Sequence, residues 1–322
     1  MVIKLGKTIA LVATLLVLLT SPGFAADDKA LVFLRKEHNQ KLQLARINKD
    51  GQIEREIKTF DRDRLNFLRG LTQLRNSDIM VLGDKLSGRQ QLTIIDHRDG
   101  SVRSATNVSQ RVDCSLGLLS NGDLLVAINQ MGMLRPATIN TSTGLVTVST
   151  TLPHVPFASV GGYSSGKLYY QSGRMGLAKI VEYDLNTGPV RELPTPYIDL
   201  GYIAIQPITG IQFMDVSPMP GTQLASTLSG ALFVNTTGGL LPEHHIGNYS
   251  DAQPVSSITN GVTGLDLRMF DSQLQLWVYK MTTGLNPTAK LQTINLSTAR
   301  DSTVDLNIPG RTFEAFAGYV HQ

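Results

Sequence analysis

The chain has 322 residues, 42% of them hydrophobic, 17% charged and 6% aromatic, with a formal charge of +3 and one cysteine. That apolar fraction excludes intrinsic disorder, the charged fraction is too low for a coiled coil, and a single cysteine excludes an intrachain disulfide framework or a cysteine-rich zinc site. Near-neutral charge with few aromatic groups leaves neither the basic surface nor the stacking platforms that nucleic acid requires.

The first 25 residues have the layout of a secretory signal. Lys4 and Lys7 make a positive n-region, Ile9 to Thr20 is a twelve-residue apolar run, and Ser21-Pro22-Gly23-Phe24-Ala25 supplies a break and small residues before a cut after Ala25. The run is short for a bilayer span, which takes roughly 20 residues, so no stable membrane insertion is expected after cleavage. Removal of residues 1–25 leaves a 26–322 domain of 297 residues with 27 Lys+Arg and 26 Asp+Glu, expected in the periplasm or the medium.

Beyond the leader the chain repeats itself. Leu31-Val32-Phe33-Leu34 is a first apolar strand. Three more follow tight polar turns: Asn76-Ser77-Asp78 before Ile79-Met80-Val81-Leu82, Asn121-Gly122-Asp123 before Leu124-Leu125-Val126-Ala127, and Ser165-Gly166-Lys167 before Leu168-Tyr169-Tyr170. Ile79 to Leu124 is 45 residues and Leu124 to Leu168 is 44. A second class of turn keeps the same beat, at Lys49-Asp50-Gly51, Arg98-Asp99-Gly100, Ser142-Thr143-Gly144 and Asn186-Thr187-Gly188. Glycine takes the positive φ that a tight hairpin turn demands, and two hairpins per period make about four strands, the grammar of a β-propeller blade.

Ile211-Gln212-Phe213-Met214 stays in step, whereas Leu274-Gln275-Leu276-Trp277-Val278 comes 63 residues later. Opening strands near Leu65, Val112, Pro156, Ile198, Ser257 and Thr312 predict an all-β fold, a single propeller of six blades, with seven left open by the irregular stretch after Gly201. Thr312 to Val320 matches the opening strands, and pairing it with the N-terminal blade would close the ring and remove two sheet edges. The phrases Ser164-Ser165-Gly166-Lys167-Leu168-Tyr169-Tyr170 and Asp184-Leu185-Asn186-Thr187-Gly188 resemble exported bacterial propellers of the quinoprotein amine dehydrogenase and YVTN-repeat type. The YVTN tetrapeptide itself is absent. That group includes dehydrogenase subunits, lactonases and non-catalytic scaffolds, so the likeness gives little warrant for an activity.

Gly162-Tyr163-Ser164-Ser165-Gly166 spells a nucleophile elbow, and Gly161, Gly166 and Lys167 nearly spell a phosphate loop. Both need a helix after the turn, and a strand-forming segment follows instead. Glu243-His244-His245 contains an adjacent histidine pair, but neighbours on a strand point to opposite faces and cannot share one metal. Cys114 reads as an inert thiol in an apolar strand. The run Arg62, Arg64, Arg69, Arg75 is interleaved with Asp61 and Asp63 and reads as a solvated surface with internal ion pairs. No metal site and no cofactor are assigned; Ca²⁺ at a carboxylate-rich channel top is the one cation allowed for.

In a propeller, the loops from second to third strand share a face with those leading to the next blade. The irregular loops of this sequence fall on that face, the mouth, where a rigid scaffold most often carries function. The candidate ligand-binding residues there are Arg64, Arg111, Asp113, His154, Arg174, Asp199 and Arg311. Four arginines from separate blades suit a carboxylate or phosphate, with Asp113 and Asp199 to orient them. The expectation is a non-catalytic exported propeller that binds a protein partner or a small anionic ligand at its mouth. The alternative is a propeller enzyme or subunit, either a metal-assisted lactonase or lyase or an amine dehydrogenase-type subunit.

Overall fold

The computed structural model describes residues 29–130, 133–149, 155–156, 160–164, 167–172, 179–194, 199–205, 212–217, 222–227, 230–237, 243–248, 254–259, 267–270, 275–281, 288–295 and 300–320. These are strands and turns throughout; none is helical, and no helix among them is long and apolar enough to cross a membrane. The leader lies outside the described residues.

Six antiparallel sheets follow one another along the chain. The first holds β1 (Lys29–Lys36), β2 (Leu42–Ile47) and β3 (Ile53–Thr59). The second is β4 (Phe67–Gln73), β5 (Ile79–Asp84), β6 (Gln90–Ile95) and β7 (Val102–Asn107). The third is β8 (Cys114–Leu118), β9 (Leu124–Gln130), β10 (Met133–Ile139) and β11 (Val146–Val148), with β12 (Val155–Pro156) also on β10. The fourth comprises β13 (Val160–Ser164), β14 (Lys167–Ser172), β15 (Lys179–Asp184) and β16 (Gly188–Pro194). The fifth has six strands: β17 (Asp199–Ile205), β18 (Gln212–Ser217), β19 (Thr222–Thr227), β20 (Gly230–Thr237), β21 (Glu243–Asn248) and β22 (Pro254–Thr259). The sixth is β23 (Leu267–Phe270), β24 (Gln275–Met281), β25 (Ala289–Asn295) and β26 (Arg300–Asp305), after which β27 (Arg311–Val320) returns to pair with β1.

Two of the expected opening strands move. Val155 and Pro156 pair with Leu134 and Met133 on β10, so the fourth sheet opens at Val160. Proline donates no ladder hydrogen bond and sits at a sheet margin. Ser257 belongs to β22, paired with His245, and the sixth sheet opens at Leu267. The extra hairpin β21–β22 accounts for the long step that precedes Trp277.

The apolar runs are continuous because the middle strands bury both faces. On β1, Ala30, Val32 and Leu34 pack with Trp277, Tyr279 and Leu291 of the sixth sheet, while Leu31 and Phe33 pack with Ile79 and Val81 of the second and with Leu65 just before it. The next layer repeats the scheme, with Met80 and Leu82 against Leu124, Val126 and Ile128. The fourth strands need no such run: β3 and β7 are largely exposed and read IEREIKT and VRSATN. Neighbouring sheets meet through their innermost strands, as β4 does β8, β8 does β13 and β13 does β17.

A regular feature of the inner strands was not read in the sequence. Register slips fall between Leu68 and Gly70, Ser115 and Gly117, and Val160 and Gly162, and the Leu31/Val32 slip on β1 lies opposite Gly318 and Phe316 of β27. A Cβ at Gly70 would overlap the Ser115 side chain on the neighbouring inner strand. Bulges bend a strand and raise its twist, and glycine here lets adjacent sheets approach. The glycines at 70, 117, 162 and 318 carried that signal.

Candidate functional site

The turns on the face opposite the mouth close on themselves. Asn121 Nδ2 donates to Asp123 Oδ2 at 3.0 Å, and Asp123 N donates back to Asn121 Oδ1 at 3.0 Å. Asn140 Oδ1 accepts from Thr143 N at 3.0 Å, and Asp184 Oδ1 accepts from Asn186 N at 2.8 Å. Such Asx turns satisfy their own backbone donors.

The loops at the mouth differ from one another in length. Residues 60–66 join β3 to β4, 85–89 join β5 to β6, and 108–113 join β7 to β8. Leu86 N donates to Arg62 O at 2.9 Å, and Val108 N donates to Gln90 O at 3.1 Å, so the three form one rim. The Gln90 amide clamps it from below: Nε2 donates to Val112 O at 2.8 Å and Oε1 accepts from Val112 N at 2.7 Å. Asp84 is held by Arg69 through Nε at 2.9 Å and NH2 at 2.6 Å. Arg35 pairs with Glu314 at 2.5 Å, donates to Asn66 O at 3.1 Å and lies 5.4 Å from the Phe67 ring centre. Asp61 is held below the usual carboxylate range by its hydrogen bond from Lys41, 2.6 Å away.

Arg64 and Arg111 are exposed on adjoining loops of this rim. Asp113 is exposed there too, and its carboxylate accepts a hydrogen bond from the Asn129 backbone. Arg311 turns away from the rim: Nε donates to Gln43 Oε1 at 2.8 Å and NH2 pairs with Glu56 on the outer strand β3. His154 and Arg174 lie outside the described residues. Asp199 opens β17, opposite Ser217, and its side chain lies outside the described residues. Sequence reading named Arg69 only within a run expected to make ion pairs, and missed Arg35, Asp84, Gln90 and Phe67, because each gains its meaning from a partner on another strand.

Ser164 pairs with Lys167 across a hairpin, as the strand-forming sequence after the GxSxG match requires. At the start of β8, burial pushes the Cys114 thiol up to about 11, with the Asp113 charge adding to the effect. Little thiolate then exists at neutral pH, so Cys114 should alkylate at least tenfold more slowly than free cysteine at pH 8. The rate should rise only as pH approaches the thiol's own titration; Ellman or iodoacetamide kinetics against pH measure this.

No family model matches the chain, and neither does any curated protein. Among solved structures it is similar to TolB from Acinetobacter baumannii, at 16% identity and a TM-score of 0.60, over 95% of this chain and 70% of that one. It is also similar to a TolB-type protein from Agrobacterium tumefaciens, at 10% identity and a TM-score of 0.51, over 86% of this chain and 88% of that one. This chain has a β-propeller fold. At these identities the likeness carries the fold and no activity.

Proposed function

We propose that this chain is an exported, non-catalytic β-propeller that captures a carboxylate-bearing protein segment at its mouth. On this reading the six sheets are six blades, and the β27–β1 pairing closes the ring. The leader argues for the periplasm or the medium, and the blade phrases favour the amine dehydrogenase and YVTN-repeat group as sequence kin.

One observation carries the partner. Phe67 and Leu86 are 51% and 53% exposed on the same rim as the exposed Arg64 and Arg111. Large exposed side chains on a rigid rim favour a protein chain over a bare anion, and the guanidiniums set its charge. Leu145 is 58% exposed on the opposite face and serves as the control position.

A photo-crosslinking residue at position 67 should trap a discrete protein in cells, whereas one at 145 should not. Arg64→Glu with Arg111→Glu should abolish the trapping and change stability by less than about 1 kcal/mol, as expected for exposed charges. Equal trapping from both positions would overturn the assignment of the mouth. Tight binding of citrate or inorganic phosphate, lost in the same double variant, would transfer the site to a small anionic ligand.

A further inference from the structure

We propose that the second sheet carries a divalent transition-metal site, of the kind zinc occupies, made by Asp78, Asp96 and His97 on the face opposite the mouth. Asp78 ends the turn into β5, and Asp96 and His97 begin the turn after β6. The pairing of Ile79 with Ile95 sets these two turns side by side. One ligand atom from each of the three residues lies within 4.8 Å of the others. His97 Nδ1 stands 3.5 Å from Asp78 Oδ1 and 4.0 Å from Asp96 Oδ1.

The second observation is that two of these atoms are orphaned. Asp78 Oδ1 and His97 Nδ1 are buried and have no hydrogen-bond partner, although the Asp78 side chain is only 1% exposed. A buried carboxylate oxygen that accepts no hydrogen bond, 3.5 Å from an imidazole nitrogen that makes none, is costly unless something sits between them. Asp78 Oδ2 and Asp96 Oδ2, on the far side, are held by arginine. Arg103 Nε lies 2.7 Å from Asp78 Oδ2, and its NH2 lies 2.6 Å from Asp96 Oδ2. Asn76 Nδ2 also donates to Asp78 Oδ2, at 2.8 Å. Arg98 makes a further pair with Asp96 Oδ2 at 3.0 Å, and its backbone N and Nε donate to Asp96 Oδ1 at 2.8 and 3.2 Å, so that ligating an ion through Oδ1 displaces the longer contact from Nε. The guanidinium of Arg103 thus spans the two carboxylates on their far side, as the outer partners of ligating carboxylates do.

The donor set fixes the class of ion. One imidazole nitrogen and two carboxylate oxygens suit zinc and its neighbours, whereas calcium and magnesium take oxygen alone. His97 is 21% exposed on its side chain, which leaves a path in and room for a water as the fourth ligand. Arg98 and Arg103 offset the carboxylate charge, which weakens the hold on a cation. Bound there, the ion would tie two turns of one blade together.

The test uses the mature protein stripped with EDTA and titrated with Co²⁺. One equivalent per chain should produce visible absorption bands of a low-symmetry four- or five-coordinate site, and Zn²⁺ should displace them. His97→Ala should weaken Co²⁺ binding at least tenfold while the far-UV spectrum and thermal midpoint of the metal-free protein stay unchanged. Asp78→Asn, which keeps the shape but lowers the charge, should weaken binding in the same way. Absence of Co²⁺ bands, or equal titration of the parent and His97→Ala, would overturn the site. Loss of the bands in His244→Ala or His38→Ala instead would overturn it as well.

Discussion

Deletion of Arg311–Val320 is expected to abolish cooperative unfolding and to send the protein into aggregates. The strand pairs with β1 from Lys29 to Lys36, and Leu31, Val32, Phe33 and Leu34 on β1 are fully buried beneath it and the flanking sheets. It also brings its own buried groups, Phe313, Phe316, Ala317 and Val320, and stacks Phe313 on Tyr279 with centres 4.4 Å apart. Burying a large apolar side chain contributes about 1.5–3 kcal/mol, so losing three of them approaches the 5–15 kcal/mol typical of a whole domain. The truncation would also leave β1 as a long, flat, apolar edge, the feature that templates aggregation. Differential scanning calorimetry and light scattering would read both effects. A truncated chain that stayed monomeric with an unchanged midpoint would refute closure through β27. Phe313→Ala is a milder version and should cost about 3–5 kcal/mol without removing the strand.

Gly144→Ala should destabilise the protein far more than Gly122→Ala, although both glycines sit in turns at positive φ. Gly144 has φ +73° and Gly122 φ +86°, so each alanine meets the left-handed penalty of about 1–2 kcal/mol. The surroundings separate them. A Cβ at Gly122 meets nothing within 4 Å, whereas one at Gly144 would overlap the carbonyl of Asn107 at the end of the preceding sheet's β7. Gly144 O also accepts from Ser109 N at 2.9 Å, so the turn cannot swing away without breaking that bond. Relieving a backbone overlap adds about 1–3 kcal/mol more, for a total of about 2–5 at Gly144 against about 1–2 at Gly122. Chemical denaturation of the two variants measures the difference; equal losses would mean that the sheets do not abut at this turn. The packing recurs at Gly100, where a Cβ would meet Lys58 and Ile57 on β3, and at Gly51, where it would meet Asp305 O at 2.5 Å.

That recurrence explains how much of the fold could be read in advance. The turn residues keep one spacing because each sheet must turn at the same depth to rest on its neighbour: Asn48, Asp96, Asn140 and Asp184 open the equivalent turns at steps of 48, 44 and 44 residues. The apolar runs Leu31–Leu34, Ile79–Leu82 and Leu124–Ala127 announced strands buried on both faces. Register slips, in contrast, depend on how close a neighbouring sheet comes, so the bulge glycines passed unread. The shift from Ser257 to Leu267 has a similar origin, since an added hairpin has the same local grammar as a new blade.

The functional surface divides along the same line. By itself the sequence determined strand and turn chemistry, the repeat and the near-neutral charge, because those follow from side-chain type and short-range geometry. Only the tertiary structure decided which charges are free. Arg64 and Arg111 remain exposed on the rim, while Arg311 is taken by Glu56 and Gln43, and Asp113 by the Asn129 backbone. It also set Asp78, 18 residues before Asp96, beside that residue and His97. A guanidinium, carboxylate or imidazole reaches several ångströms from its own strand, so its partner is chosen by the packing of strands distant in sequence, and no local pattern records that choice.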